Sequence, residues 1–439
     1  MRQMHKTIRH FLPNLFEQFN NLTDHRKRNS YQLSELLTGC VAMYLLRETS
    51  RNAINNDRKE AHFKENYFKV FGQRLPHMDT VEDVLRLLKD SELQNLKTVL
   101  VAGLIEQQVF NRFKLLGKHY KIAIDGTGIN SYDHDNETRT RLQKTSKHGK
   151  VTYYEQVLEA KLVTPSGLAI SLASEWLCNT AGNSKQDCEL AGFKRLAKKL
   201  KASFPRLPMC LLADGLYPNQ TFMDICRNNG WAYIVVLKDD SLKTLQEDIT
   251  DIENKHRCQL EWTTVEAKGQ VFTTQQHQWI STPLDYKGHS VYWFSCTETI
   301  TRYDAHKQPL DKQDAPTTFV WLTSLPVTQT NVRQLAAAGR NRWKIENEGF
   351  NTQKNGGYCL GHKFARTNTT SYRNYYQCLQ LAHLISQLTE HSQTIATELK
   401  ADAKLTLKHC WKQAISWLTH AAVEAADFAN IARCQIRLQ

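Results

Sequence analysis

Three acidic residues that lie far apart in the chain have surroundings suited to metal-dependent chemistry. Asp125 closes the apolar run 122–124, and Asp214 closes the apolar run 211–213. Short apolar runs that end in turn residues are typical of buried strands, and α/β folds place their sites where such strands end. Each aspartate taken alone is also compatible with a helix cap or a turn.

The third acidic residue, Glu346, lies in a stretch with helical spacing, residues 330–364. At 3.6 residues per turn, one face of this helix carries Leu335, Gly339, Arg342, Glu346, Phe350 and Gln353, whereas Glu348 points to the other side. An ionised carboxylate on an inward face is unfavourable unless it is paired or binds a metal. One interpretation is a structural ion pair between Arg342 and Glu346. The other is a cluster of three carboxylates, which hard cations such as Mg²⁺ require.

The sequence around each acidic residue resembles a known family. The strings IAIDGTG, LLADGLYPN and RWKIENEGFNTQKNGGY look like the three signature blocks of bacterial insertion-sequence DDE transposases, over about residues 118–364. More narrowly, they resemble members with a ribonuclease-H-like core and a β-rich insertion between the second Asp and the Glu. The resemblance implies a catalytic and metal-binding triad of Asp125, Asp214 and Glu346 that holds two Mg²⁺ or Mn²⁺ ions.

A related branch of this family forms DNA hairpins and carries a Tyr, Arg, Glu and Lys set around the Glu. Arg342 and Glu346 match that set, but Gly339 stands at the Tyr position and Gln353 at the Lys position, with Lys354 beside it. Because two of the four positions differ, the resemblance leaves open whether a hairpin forms.

Basic residues near the three blocks are candidates for DNA binding. We expect Arg342 to bind a DNA phosphate near the cut, since its guanidinium can bind a phosphate through two parallel hydrogen bonds. Lys354 and Lys238 are further candidates for the same role. These three residues complete the predicted site.

Composition indicates the class of partner. The 439 residues include 57 Lys and Arg against 44 Asp and Glu, and the formal net charge of +13 favours a polyanion such as nucleic acid. The 11 cysteines lack paired CxxC spacing, which fits reduced thiols in a cytoplasm. The longest near-apolar run, 37–46, is too short to cross a membrane, and the N-terminus lacks a signal-peptide core. We therefore expect a cytoplasmic, nucleoid-associated bacterial protein without membrane contact.

Hydrophobic periodicity predicts a mixed α/β (α+β) fold with a β-rich insertion and helical N-terminal and C-terminal regions. The resemblance implies that the interrupted core is a ribonuclease-H-like catalytic core, and the predicted order of three strands, helix, strand, helix and strand fits it. The first strand is expected to bring Asp125 beside Asp214, and a late helix to lay Glu346 across them. A basic loop at residues 25–28 is a candidate DNA contact. The predicted segments are a helical N-terminal domain at 1–115, the two parts of the core at 116–244 and 319–366, the insertion at 245–318, and C-terminal helices at 367–439.

The resemblance implies a DNA transposase that cuts and joins insertion-sequence ends by two-metal-ion phosphoryl transfer. Its partners would be double-stranded DNA, both the terminal inverted repeats and the target, and a homodimer is expected on DNA. The family also suggests that Trp262, Trp279 or Trp293 of the insertion stacks on an unpaired base, with ordinary sheet packing as the alternative. Two other functions fit the same residues: a catalytically silent DNA-binding protein of transposase ancestry, and a structure-selective nuclease that cuts but never joins.

Overall fold

The computed structural model describes all residues except 28–29, 180–185, 256, 268–270, 305, 307, 311–313, 366–367, 403, 425–427, 429–435 and 439, together with the side chains of 264–267. The described part is a mixed α/β fold built on one large mixed sheet, as the sequence predicts. None of its helices is long and apolar enough to cross a membrane.

The N-terminal region is helical, in agreement with the prediction. Arg28 of the basic loop lies outside the described residues, and Arg26 of that loop pairs with Asp24. The helices are α1 (Arg2–Phe11), α2 (Leu15–Asn20), α3 (Leu33–Leu45), α4 (Arg51–Asp57), α5 (Ala61–Phe71), α6 (Met78–Leu87) and α7 (Asp90–Glu106), followed by a 3₁₀ turn at Asn111–Phe113.

The first half of the sheet has the predicted element order of three strands, helix, strand, helix and strand, with one short extra strand, β2. The elements are β1 (Tyr120–Tyr132), β2 (Leu142–Thr145), β3 (Val151–Val163), β4 (Ala169–Leu177), α8 (Glu189–Ser203), β5 (Met209–Ala213), α9 (Gln220–Asn229) and β6 (Ala232–Val236). β3 is antiparallel to β1 and β4, while β5 and β6 run parallel to β1.

The prediction that the first strand ends at Asp125 is wrong. β1 continues through Gly126 and Gly128 to Tyr132, because the equally long β3 pairs with it beyond the apolar run. Asp125 therefore lies within a strand, whereas Asp214 directly follows the end of β5, as expected.

The inserted segment is rich in strands, but its first part is helical. Leu245 and Ile249, four residues apart, are buried on one face of α10 (Lys243–Asn254), so helical packing prevails there. The following strands are β7 (Gln259–Ala267), β8 (Val271–Trp279), β9 (Leu284–Tyr286), β10 (His289–Arg302) and β11 (Thr317–Thr323). Because β11 pairs with β6, these strands extend the core sheet in the order β6, β11, β10, β8, β7.

The stretch that carries Glu346 is not one regular helix. It consists of α11 (Val332–Arg340), a turn, a π-helix (Ile345–Asn351) and α12 (Thr352–Asn355). The C-terminal helices α13 (Thr369–Glu390), α14 (Gln393–Ala401) and α15 (Leu407–His420) follow. α13 is buried along most of its length and packs against α3, α6 and α7, so the two helical regions form one packed body.

The two faces of the sheet are covered by different helices. On one face, Leu158 and Leu177 contact Gly192 of α8. On the opposite face, Glu159 and Lys161 contact α13, and an apolar cluster joins α11 and the π-helix to β1 and β5. Because strand side chains alternate between faces, Asp125 lies on this second face.

Candidate active site

Asp125 and Asp214 lie at the same level on neighbouring strands. β1 and β5 pair in parallel with Ala123 opposite Leu212, and each aspartate stands two residues further along. Both aspartates therefore lie on the face that α11 and the π-helix cover. Asp214 also shapes its own turn, because its Oδ1 accepts a hydrogen bond of 2.9 Å from the Leu216 backbone N–H.

Arg342 connects Glu346 to Asp125. Its Nη1 lies 2.7 Å from Glu346 Oε1 and 3.8 Å from Asp125 Oδ2. The Arg342 side chain is buried, and its Nε has no hydrogen-bond partner among the described residues. The ion pair that the sequence suggests is thus present, and the same guanidinium also brings the two carboxylates together.

The space bordered by Asp125, Arg342 and Glu346 is the candidate cleft, and Glu346 lies at its exposed edge, contrary to the predicted inward orientation. Its side chain is 39% exposed. In a π-helix, hydrogen bonds join residues five apart, so the face predicted at 3.6 residues per turn is displaced. Ile345 and Phe350, five residues apart, fill the apolar core instead. The π-turn therefore directs Glu346 out of the core and towards the cleft.

A fourth carboxylate, that of Glu189 on the α8 side of the sheet, lies close enough to Asp125 and Asp214 to interact with their charges, and no pattern in the sequence marks it. Glu189 is the first residue of α8, and its Oε1 accepts a 2.7 Å hydrogen bond from Gln156 Nε2. A Cβ at Gly126 would lie 2.4 Å from that oxygen, so the glycine permits the approach. The signal available in the sequence was an acidic residue in a first helical turn, which is too common to indicate a site.

The carboxylates of the cleft disfavour one another's charge. Burial raises the pKa of Asp125 to about 7; the charge of Glu346 adds to this rise, and Arg342 opposes it. Burial also raises the pKa of Glu189, with a further contribution from Asp214. A group of acids with too little positive charge around it is the arrangement that a bound cation would stabilise.

Both predicted lysines lie at the rim of the cleft. Lys354 Nζ donates a 2.8 Å hydrogen bond to Thr127 Oγ1 on β1. Burial lowers the pKa of Lys354, and the charge of Asp125 acts in the opposite direction. Lys238 is exposed, and its alkyl stem crosses Gly215, where a Cβ would lie 2.5 Å from the Lys238 Cε.

The two positions that depart from the hairpin-forming set do not present a side chain to the cleft. Gly339 lies against the indole of Trp321, and a Cβ there would come within 2.6 Å of the ring. Gln353 is fully buried, on the side away from the cleft. At Gly339 the departure has a structural counterpart, since a Tyr side chain there would collide with Trp321.

The donor set suits a hard cation, although the side chains do not yet form a closed site. Within the described ranges, no group of three or more His, Cys, Asp or Glu side chains is placed so that it could hold a metal ion. In the cleft, Arg342 occupies the space between Asp125 and Glu346. The carboxylate oxygens are nevertheless the ligands that Mg²⁺ and Mn²⁺ prefer. A cation would compete with Arg342 for Glu346.

The three tryptophans of the insertion differ in exposure. Trp279 and Trp293 are buried, at 3% and 4% exposure, and serve the sheet packing. Trp262 on β7 is 62% exposed. Of the three, Trp262 is therefore the residue that remains available for stacking on a base.

No protein-family model matches the chain, and a search of curated proteins found no match.

Proposed function

We propose that the protein is a DDE-type DNA transposase that cuts and joins insertion-sequence ends. The observation that supports the proposal is that Glu346 lies beside Asp125, whose strand neighbours the one ending at Asp214. The two aspartates stand at the same level on adjacent parallel strands, and Arg342 links Glu346 to Asp125. Perturbed acids in a cleft are characteristic of catalytic sites.

The order of elements supports a ribonuclease-H-like core. Three antiparallel strands, β1, β3 and β4, precede α8, β5, α9 and β6, and the two later strands run parallel to β1. This is the sequence of elements that the family resemblance implies. The strands of the insertion then extend the sheet beyond β6 before the chain returns with the helix that carries Glu346.

The residues of the cleft have separate roles in the proposed reaction. Two Mg²⁺ or Mn²⁺ ions held by Asp125, Asp214 and Glu346 would supply activation of a water or a 3′-hydroxyl and stabilisation of the leaving 3′ oxygen. Arg342 holds Glu346 at the cleft before DNA arrives, and its charge suits a phosphate near the cut. No covalent bond between protein and DNA is required.

Net charge and aromatic exposure support DNA as the partner, and the homodimer on the two transposon ends stays an expectation from the family resemblance. The formal net charge is +13, and phosphate contacts by basic residues supply most of the sequence-independent affinity for DNA. Lys354 and Lys238 add positive charge at the rim, where the DNA backbone would pass. Trp262, on the far edge strand of the sheet, offers an exposed ring on which an unpaired base could stack.

The main test uses labelled DNA that carries the inverted repeats flanking the gene. Purified protein with Mg²⁺ is expected to cut this DNA at the repeat ends and to insert them into a target plasmid. Cutting without insertion would support the structure-selective nuclease, and binding without cutting would support the catalytically silent DNA-binding protein.

A matched pair of variants tests the choice of residues. Glu346→Gln is expected to abolish cutting and leave DNA binding in place. Glu348→Gln is the control. Glu348 pairs with Lys344 and not with Arg342, the residue that joins Glu346 to Asp125. Retained cutting by Glu346→Gln together with an inactive Glu348→Gln protein would contradict the assignment.

A further inference from the structure

Gln353 joins the helical stretch that carries Glu346 to the buried helix α13. Its Nε2 lies 2.9 Å from Gln380 Oε1 and 2.9 Å from His383 Nδ1, and Gln380 Nε2 donates back to Gln353 Oε1 at 3.2 Å. Since an amide nitrogen only donates, His383 Nδ1 is the acceptor. Burial lowers the pKa of His383 well below its usual range, which keeps the ring neutral and able to accept.

The hydrogen bonds continue from α13 to two strands of the sheet. Gln387 Nε2 lies 3.0 Å from the same His383 Nδ1, and Gln387 Oε1 accepts from the backbone N–H of Ala169 at 2.6 Å. Lys161 on β3 donates to Gln380 Oε1 at 2.7 Å. The amide of Gln353 is therefore held by a buried polar network that ends on β3 and β4.

The π-helix also rests directly on this network. A Cβ at Gly349 would lie 3.4 Å from Lys161 Cδ, so the backbone between Glu346 and Gln353 packs closely on the lysine stem. The neighbouring Lys354 extends to β1 instead, where it bonds to Thr127. The turn after Glu346 is thus attached on both sides.

We propose that Gln353 is a positioning residue that aims Glu346 into the cleft, an inference that rests on the proposed function. The position where the resembling family has lysine here anchors the helix from within the protein. Removing the amide would leave Gln380 Nε2 without its acceptor, take one contact each from Gln380 Oε1 and His383 Nδ1, and release the end of the π-helix. Because small misplacements of a catalytic group lower rates strongly, the effect is expected in the cutting rate and not in DNA affinity.

The test compares Gln353→Leu with Gln377→Leu. Gln377 is about equally buried and lies on α13, and its Nε2 bonds to Ser174 on β4, at 3.4 Å. Both variants remove a buried amide, and only the first removes a contact of the Glu346 segment. Gln353→Met, closer in shape to glutamine, replaces the leucine variant if that protein does not fold.

Two measurements decide the inference. In the Gln353 variant, amide hydrogen exchange of residues 345–355 is expected to accelerate at least about tenfold, and the cutting rate at saturating DNA to fall at least about tenfold with DNA affinity within about twofold. Gln377→Leu is expected to keep wild-type values for all three. Unchanged exchange in the Gln353 variant, equal acceleration in the control, or faster exchange with wild-type cutting overturns the inference. Absence of cutting by the wild-type protein refutes the proposed function, and exchange then still decides whether Gln353 anchors the helix.

Discussion

Asp125 and Glu159 face each other across β1 and β3, yet their surroundings are opposite. Glu159 accepts hydrogen bonds from the hydroxyls of Tyr376 at 2.8 Å and Ser171 at 2.6 Å, with Lys161 Nζ 3.9 Å away. Asp125 accepts one hydrogen bond, from the adjacent Gly126 N–H at 2.9 Å, and otherwise has a distant contact with Arg342 and repulsion from other acids. Burial of a charge therefore does not by itself indicate a site. A buried acid that lacks sufficient partners and borders a cleft does.

The largest expected effect is on the cutting rate, when an aspartate of the cleft is replaced. Asp125→Asn and Asp214→Asn should each reduce Mg²⁺-dependent cutting at least roughly 100-fold, the loss typical of removing one preorganised charged group. DNA binding should remain, because neither aspartate is expected to contact DNA phosphate. Single-turnover cleavage and a gel-shift assay measure the two quantities. Cutting near the wild-type rate by either variant would refute the site.

For Glu159, whose charge is fully paired, the expected effect of substitution is on the free energy of unfolding. Burial already lowers the pKa of Lys161 to about 8, and Glu159→Gln would remove the charge that favours its ammonium form. Breaking a buried pair in this way destabilises proteins by about 3–5 kcal/mol. Thermal unfolding of the variant should therefore begin at a clearly lower temperature. An unchanged unfolding temperature would mean that the pairing of Glu159 with Lys161 does not stabilise the fold.

A third prediction uses pH to test whether the ionised form of Asp125 destabilises the folded protein. The pKa of Asp125 rises from 3.8 to about 7 on folding, so between these values the folded protein binds more protons than the unfolded one. The free energy of unfolding consequently falls as pH rises through this window, and the full penalty applies above about pH 7. In metal-free buffer, Asp125→Asn should therefore unfold a few degrees higher than wild type at about pH 8, with the difference shrinking towards about pH 4.

The control for the pH experiment is Glu348→Gln. Its unfolding temperature should differ from that of the wild type by the same amount at about pH 8 and about pH 4. Added Mg²⁺ should stabilise the wild-type protein and not Asp125→Asn, because metal binding requires the ionised carboxylate. A wild-type protein that is at least as stable as Asp125→Asn at about pH 8 without metal would contradict the raised pKa of Asp125, which burial and the charge of Glu346 cause.

The smallest expected effect concerns an exposed ion pair. Lys344 and Glu348 are about one turn apart, and both side chains are partly exposed. Such pairs contribute about 0.2–0.5 kcal/mol, so Glu348→Gln should change stability by about 0.5 kcal/mol or less. Its unfolding temperature and cutting rate should match the wild type within error. A large loss of either would show that Glu348, and not Glu346, belongs to the cleft.

The spacing of apolar residues predicted most helices and strands, but it misplaced residues whose position depends on contacts with distant parts of the chain. The helices and strands follow from apolar spacing, and Asp214 follows its strand as expected. Asp125 lies inside its strand because β3 continues to pair with it, and Glu346 is displaced because the helix widens into a π-turn. Glu189 could not be found from the sequence, since its approach depends on the packing of α8 over Gly126.

By itself, the sequence determined which segments are helices or strands and which acidic residues follow apolar runs, because both depend on neighbours close in the chain. Only the tertiary structure decided which acids are paired. Tyr376 lies 217 residues from Glu159, and α13 must fold against β3 before their hydrogen bond exists. Asp125, directly opposite, lacks such a partner because it borders the cleft. Charge compensation depends on distant contacts, so residue type and spacing alone do not separate a structural acid from a functional one.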